Sequence, residues 1–485
     1  GTYLIDNCGE VVNYWDTPTT DLHPKLLPNG DLLYITFGAI EVVDWNGLYV
    51  KGLYHGDPDL ELVYEVIPLE NGNYLSLGRR DFSIEQFEAI GYNYGSGNPS
   101  SPTVVDVVVE LDGQTGDIVW EWNISDHVIQ ERDANAPNYG SISSSPELLD
   151  LDAIEFFDWT FYESFMINGM DYNPDLDQIA LSVRKISEVI IIDHSTTTEE
   201  AAGHTGGNSG KGGDILYRWG NPRNYDRGSS IDRQLFFQHN PNWITEGEHA
   251  GKLIIYDNGL TRPGVSFEDR YSTAPIIAPP MDELGNYIIE EGEAFGPAEP
   301  DFLLSGSETD SPFYSSYTSG AEVLPNGNIY ITEGIDGRLM EFNTEGELVW
   351  QYTVPGVSFI FRTEKYAIDY PAFVDRELVP SGTISGIPSQ YDCQLLTSTE
   401  AIVTNEQVFK ASHLAGTHQI LLENLKGSGL QYNLYNVQGQ LLQSGQTASS
   451  QHTLDSSQLS DGLYVVQLAT LRNLNLSTFK IMIND

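Results

Sequence analysis

Residues 324–330 read Leu-Pro-Asn-Gly-Asn-Ile-Tyr, and the phrase recurs at 27–33 as Leu-Pro-Asn-Gly-Asp-Leu-Leu and at 69–75 as Leu-Glu-Asn-Gly-Asn-Tyr-Leu. Asn-Gly between apolar runs is the strongest short-range hairpin signal, and a type I′ turn, with positive φ at both central residues, is the expected connection. A second element alternates with it. It appears as Gly116-Asp117-Ile118-Val119-Trp120-Glu121-Trp122, as Asp214-Ile215-Leu216-Tyr217-Arg218-Trp219 and as Thr344-Glu345-Gly346-Glu347-Leu348-Val349-Trp350, with Asp6–Val12 leading to Trp15 in the same manner. Short strands with periodic turn residues and one aromatic per unit predict radial repetition. Roughly six such units fit between residues 2 and 375, so the expected fold is all-β, a six-bladed β-propeller. An array of sandwiches would not explain two alternating signatures.

Composition bounds the partners. The chain has 485 residues, with 70 Asp plus Glu against 23 Lys plus Arg, a net charge of −47. Such a field repels nucleic acid and anionic membranes, and it suits surroundings rich in salt or divalent cations, which screen self-repulsion. No run of 18 apolar residues exists, so the sequence predicts nothing that spans a membrane. The chain opens directly on a strand-like Thr2–Ile5 without a leader, which reads as a processed start. The acidity is uneven: residues 395–485 hold 4 Lys/Arg and 6 Asp/Glu, leaving −45 of the −47 before Leu395.

Residues 420–485 are of another kind. Tyr432–Leu442 reads as strand, Gly turn and strand; Leu459–Leu468 and Ser477–Ile483 follow, forming a small β-sandwich of about the minimum self-supporting size. The expected organisation is a propeller over 1–375, a linker rich in Ser, Thr, Gly and Pro over 376–399, and a C-terminal β-sandwich over 400–485.

Between a β-branched run (Val189–Ile192) and Tyr217-Arg218-Trp219-Gly220 lies a long loop of Gly, Ser and Thr. Loops of this length inside compact domains are usually functional or disordered. Together with the two repeating signatures, the segment 192–222 resembles bacterial aryl-sulfate sulfotransferase-like proteins, which are six-bladed propellers. The resemblance covers most of residues 2–375. It includes Trp120-Glu121-Trp122 with Asp126-His127, Asp171-Tyr172-Asn173-Pro174, Ile191-Ile192-Asp193-His194, Gln238-His239 with Trp243, Ser319-Gly320-Ala321, and Arg362 with Tyr366 and Asp369-Tyr370-Pro371. The C-terminal module resembles a type A sorting domain of the type IX secretion pathway of the Bacteroidota, through Tyr435-Asn436-Val437-Gln438-Gly439-Gln440 and Leu459-Ser460-Asp461-Gly462-Leu463-Tyr464. The Pro-Asn-Pro usual at the start of such a domain is absent. The two resemblances imply export to the cell surface or medium, with the type IX secretion machinery as a partner.

The resemblance also implies a chemistry: a histidine in the central funnel takes sulfuryl from a phenolic sulfate and passes it to another phenol, while cations hold the sulfate oxygens. His239 stands where the family carries a histidine, though Asn240 replaces the Asp expected after it. Arg362 and Arg218 are the candidate sulfate-holding cations. The family's Asp-Trp-x-His-x-Asn element reads here as Asp158-Trp159, then Phe165-Met166-Ile167-Asn168, so Met166 holds a histidine's place. An early His-His-Asp reads Val63-Tyr64-Glu65, so Tyr64 holds another. Neither can carry sulfuryl by the imidazole route. Tyr64, His127, Met166, Asn168 and Tyr317 are therefore expected to line a funnel that binds rather than reacts. His127 can equally be a polar pair with Asp126 or Glu131, and His194 with His204 lacks a third metal ligand at recognisable spacing.

Other motifs fail. Gly206–Gly213 has no P-loop spacing, and Gly207-Asn208-Ser209-Gly210 is no nucleophile elbow because Lys211 stands where the second Gly belongs. No cofactor is expected apart from Ca²⁺, for which Asp282, Asn286 and Glu290 form the candidate site by charge alone; a solvated acidic turn explains them too. Cys8 and Cys393 are either separate thiols or a disulfide that closes the acidic region. The sequence predicts an exported propeller with degenerate catalytic histidines, acting in binding or in structural assembly with itself or other surface proteins. The alternative is an active PAPS-independent aryl-sulfate sulfotransferase working through His239.

Overall fold

The Asn-Gly stretches do reverse the chain, by a different turn from the expected one. Only the glycines, Gly30, Gly72 and Gly327, take positive φ, at 92°, 90° and 85°. Their N–H groups return to the leucine carbonyls three residues back, at 2.8 Å to Leu27, 3.0 Å to Leu69 and 2.8 Å to Leu324. The side-chain oxygens of Asn29, Asn71 and Asn326 accept the N–H of Asp31, Asn73 and Asn328. This is a type I turn followed by a left-handed glycine. Pro28 and Pro325, with φ fixed near about −65°, suit the second position of a type I turn and draw it one residue upstream.

The computed structural model describes residues 1–18, 23–36, 38–92, 103–155, 164–356, 359–374, 376–384, 409–414, 418–424, 429–436, 441–457, 459, 462–469 and 476–483. With 41% of residues in strands and 8% in helices, the chain is all-β. It divides into two units, Gly1–Leu395 and Leu396–Asp485.

The first unit contains five four-stranded antiparallel sheets among the described residues, each with its strands in sequence order. The first sheet comprises Lys25–Leu26, Leu32–Thr36, Ala39–Val43 and Tyr49–Tyr54. The second comprises Leu60–Pro68, Tyr74–Asp81, Val104–Leu111 and Ile118–Asn123. The third runs through Ile167–Asn173, Gln178–Val183, Glu188–Asp193 and Tyr217–Trp219. The fourth uses His239–Trp243, Leu253–Tyr256, Thr273–Ile277 and Phe302–Ser305. The fifth uses Gly320–Val323, Ile329–Glu333, Arg338–Phe342 and Leu348–Thr353. Where six four-stranded units were expected, the other paired strands among the described residues of this unit are the short parallel pair Val128–Ile129 with Leu149–Asp150 and the hairpin Thr2–Ile5 with Val11–Trp15, which Thr383 joins by one bridge to Glu10.

Successive sheets pack through their first strands: Leu60–Pro68 lies against Ile167–Asn173, which lies against His239–Trp243, which lies against Gly320–Val323. Apolar residues on both faces of the strands fill the spaces between; Leu181, Val183, Ile190 and Ile192 of the third sheet are fully buried. The recurring aromatic stitches each sheet to something beyond it. Trp15 donates its indole N–H to Asp44 O, Trp122 to Gly213 O, Trp219 to Pro297 O and Trp350 to Asn7 O, at 2.8–3.0 Å. An indole buries a large apolar face while its N–H satisfies a carbonyl, so one residue serves packing and polar pairing together.

The second unit has a three-stranded sheet (Phe409–Leu414, Gln419–Asn424, Gln451–Asp455) and a four-stranded one ordered Leu441–Thr447, Leu430–Asn436, Gly462–Ala469, Leu476–Ile483. Phe409, Ile420, Leu422, Leu434, Val466 and Ile481 from both sheets share one core.

Candidate functional site

The opening strands of the second, third and fourth sheets each break register once, between Val63 and Val66, Ile167 and Met170, and His239 and Asn242. Beside each break a non-glycine residue is left-handed: Tyr64 at φ 60°, Met166 at 59° and Asn240 at 52°. Thr318 and Ser319, at 59° and 83°, do the same on entry to the fifth sheet. Bulges re-aim side chains out of the alternating pattern, and left-handed backbone costs about 1–3 kcal/mol per residue, a strain that clusters at functional sites. Here it delivers Glu65 and Asn240 to one pocket.

That pocket, a small cleft with a cavity volume of about 30 Å³ that opens to solvent, is lined by the ionisable side chains of His23, Lys25, Glu65, Glu322, Arg362 and Glu364. His23 Nδ1 stands 2.9 Å from both Glu65 Oε1 and Arg362 Nη2, and Arg362 also donates to Glu65 Oε2. Lys25 Nζ lies 3.0 Å from Glu65 Oε1 and 3.8 Å from Glu364 Oε1; His23 Nε2 lies 3.3 Å from the latter. Burial alone would raise the Glu65 carboxyl, but Arg362, Lys25 and His23 overcome it and hold the group well below the usual carboxylate range. Glu364 is likewise drawn down against its burial to about 2, by His23 and Lys25. Glu322 goes the other way: burial, reinforced by the Glu364 charge, pushes it to about 8, so it is protonated at neutral pH. The cations of the pocket are thus matched by carboxylates of the pocket. A sulfate entering it would find Lys25 and Arg362 already paired with Glu65.

His239 lies beside this pocket, 3% exposed. Asn258 donates its amide to Ser315 O and Thr318 O at 2.7 and 3.1 Å, which fixes its Oδ1 as an acceptor. Oδ1 sits 2.6 Å from His239 Nδ1, so that nitrogen carries the ring proton. The lone pair of Nε2 then accepts the Thr318 N–H at 3.1 Å. Burial, with the Arg184 and Arg362 charges, lowers the ring to about 3 and keeps it neutral. Neutrality suits a nucleophile, yet the only lone pair that could attack sulfur is already engaged.

The remaining expected residues separate. Arg362 enters the pocket; Arg218 does not, being fully buried in the outer strand of the third sheet, where it pairs with Glu188 at 2.5 Å and lies over Tyr225. Tyr64 stacks on Phe361 with centroids 5.4 Å apart and accepts from Arg79. Met166 Sδ lies 3.8 Å from Arg184 Nη1. Asn168 donates to Gln238 O at 2.9 Å. Tyr317 is 40% exposed and stacks on Phe359. His127 pairs with Asp214 instead of Asp126 or Glu131, and His204 shares that carboxylate, whereas His194 lies between Asp177 and Glu110.

Asp282 closes its own turn, Oδ1 accepting the N–H of Leu284 and Asn286 and Oδ2 the Asn286 amide. Asp158, Trp159 and Cys393 lie outside the described residues, and with Cys393 the expected disulfide. His23, Lys25, Glu322 and Glu364 escaped the sequence reading. The alternating charges of Arg362-Thr363-Glu364-Lys365 and the His23-Pro24-Lys25 run before the first Asn-Gly hairpin were the available signals.

Repeated four-stranded sheets with a polar pocket at their opening strands, followed by a second all-β unit, define the class of protein. The chain belongs to the arylsulfotransferase (ASST) family, whose model matches residues 1–274. Residues 416–484 match a secretion system C-terminal sorting domain, which marks the protein for type IX export to the cell surface or extracellular space and for interaction with that machinery. Among curated proteins no sequence matches. Similar solved structures include a protein of unknown function from Bacteroides caccae (10% identity, 74% of this chain and 92% of that one, TM-score 0.40). Others are the periplasmic gluconolactonase of Pseudomonas aeruginosa (9%, 93% and 94%, TM-score 0.36) and virginiamycin B lyase from Staphylococcus aureus (10%, 71% and 74%, TM-score 0.32). Among the described residues no helix is long and apolar enough to cross a membrane.

Proposed function

We propose that this is an exported arylsulfotransferase-family protein whose centre binds rather than transfers sulfuryl groups, and that it serves as a binding or assembly protein at the cell surface. The observation that carries this reading is the double engagement of His239, with Nδ1–H given to Asn258 and the Nε2 lone pair given to Thr318 N–H. The pairing of Arg362 with Glu65 supports it, because a transferase needs cations held ready for sulfate oxygens. The pocket that remains is polar and near neutral, with Asn240, Asn242, Tyr330 and Thr363 offering hydrogen bonds, which suits an uncharged hydroxylated ligand better than an aryl sulfate. In architecture, the reading makes the Thr2–Trp15 hairpin with the 380–383 segment the sixth blade of a propeller, and the C-terminal unit a sandwich.

Incubation of the full chain with a chromogenic aryl sulfate and a phenol acceptor tests the reading. No phenol release above buffer is expected. Turnover that disappears in His239→Ala would establish the transferase instead.

A further inference from the structure

The long loop after the third strand of the third sheet brings together three ligating side chains remote from the pairs that build the pocket. The chain leaves Asp193, makes one helical turn at Thr198–Ala201, and returns through Gly203–Asp214 to the outer strand. His204 and Asp214 sit on this return. His127 comes from the second sheet's side, closing the short helical turn Ile124–His127 after Asn123. Asp214 Oδ1 lies 2.9 Å from His127 Nδ1 and 2.7 Å from His204 Nδ1, and the three ligand atoms all fall within 4.8 Å of one another.

The second nitrogen of His127 shows what this convergence means. Nε2 lies 2.8 Å from Ala201 O, and a carbonyl only accepts, so Nε2 carries a proton. Nδ1 is the nitrogen left to ligate, and it faces the Asp214 carboxylate oxygen. A proton on Nδ1 serves this contact as an N–H···O bond, and a metal ion that displaced the proton would be held by the same two atoms. The His204 ring directs a third donor atom at the same spot. A ligating histidine that gives its other N–H to a backbone carbonyl is the arrangement that orients metal-bound imidazole.

The surroundings fix His127 firmly. It is fully buried and parallel to the Trp122 ring at 5.4 Å, and Trp122 in turn donates to Gly213 O. A side chain at Gly213 would put its Cβ 2.0 Å from Ala201 O and 2.7 Å from His127 Nε2, so only glycine lets the loop approach. Asp214 is 6% exposed, whereas the His204 side chain is 61% exposed. The cluster therefore has a rigid wall and one arm open to solvent.

We infer that His127, His204 and Asp214 form a binding site for a divalent transition metal of the Zn²⁺ class. Two imidazole nitrogens and one carboxylate oxygen match that class and not Ca²⁺ or Mg²⁺, which prefer all-oxygen sets. Three protein ligands leave one tetrahedral position to water, on the side where His204 is exposed. An ion bonded at about 2.0–2.1 Å holds neighbouring ligand atoms about 3.3 Å apart. Binding thus needs the pairs to open by about half an ångström, a movement the exposed His204 arm can make. The ion would pin the 203–214 loop to the second sheet.

The test uses the full chain, stripped with a chelator and titrated with ZnCl₂ and with CoCl₂. One tightly bound ion per chain, a rise of several degrees in Tm with Zn²⁺ and an intense tetrahedral Co²⁺ absorption are expected. His204→Ala, at an exposed position, should leave the Tm of the stripped protein unchanged and weaken Zn²⁺ binding at least tenfold, with loss of the Co²⁺ absorption; His249→Ala should change neither. Equal affinity in His204→Ala and the parent, or a weak Co²⁺ spectrum of the hexa-aqua kind, would overturn the assignment.

Discussion

Glu65 shows at the scale of one residue how the pocket is held together. It stands where the resemblance calls for the Asp of a His-His-Asp element, and it is the carboxylate that Arg362, Lys25 and His23 all face. Removing one member of such a buried set leaves uncompensated charge, which typically costs about 3–5 kcal/mol, so the set is self-maintaining. Glu322 makes the electrostatics measurable. Its carboxyl is raised from 4.5 to about 8, so the folded state holds a proton that the unfolded chain has lost. That contribution is absent below about pH 4.5 and becomes a growing penalty as pH rises towards 8. Glu322→Gln keeps an oxygen for the Lys365 N–H and removes the titration. Its Tm should match the parent at pH 5 and exceed it at pH 8; parallel Tm curves across that range would refute the assignment. None of this was legible beforehand, because Glu65 and Arg362 are 297 residues apart and no local pattern announces a pair at that separation.

At the scale of the element, the repeat was readable and its details were not. Asn-Gly and the periodic aromatic pointed to hairpins and stacked sheets because both act locally, through the backbone needs of a turn and the burial of a ring. The turn type differed because Pro28 and the Asn29 side chain moved the reversal upstream. The purpose of the aromatics, an indole N–H reaching a carbonyl beyond the sheet, depends on which segments become neighbours and is silent in sequence. Trp350 is the informative case, since its partner Asn7 belongs to the two-stranded hairpin. Trp350→Phe keeps most of the apolar ring and deletes the bond, at about 1 kcal/mol. Amides of Thr2–Ile5 and Val11–Trp15 should then exchange faster with solvent while those of the third sheet stay protected. Unchanged exchange in the hairpin would mean that the stitch contributes nothing.

For the whole molecule, charge governs behaviour outside the core. A net −47, nearly all of it before Leu395, stores self-repulsion that salt relieves. Raising NaCl from about 20 mM to about 500 mM shortens the screening length from roughly 20 Å to roughly 4 Å, and Tm should climb by several degrees. A Tm that is flat or falls would show that the acidic surface is already neutralised by internal pairing. The class of fold was legible at this scale, since alternating signatures and a change of composition extend over hundreds of residues. The joining of the two ends was not. Trp350 with Asn7, Arg362 with His23 and Tyr370 with Leu26 are each separated by more than three hundred residues. Synthesis proceeds from the N-terminus, so His23, Lys25 and the first hairpin are made long before Arg362 and Glu364 can join them. Until the fifth sheet has left the ribosome they have Glu65 and the rest of the first sheet, but neither Arg362 nor Glu364. The pocket is accordingly complete only when the oldest residues of the unit meet the youngest.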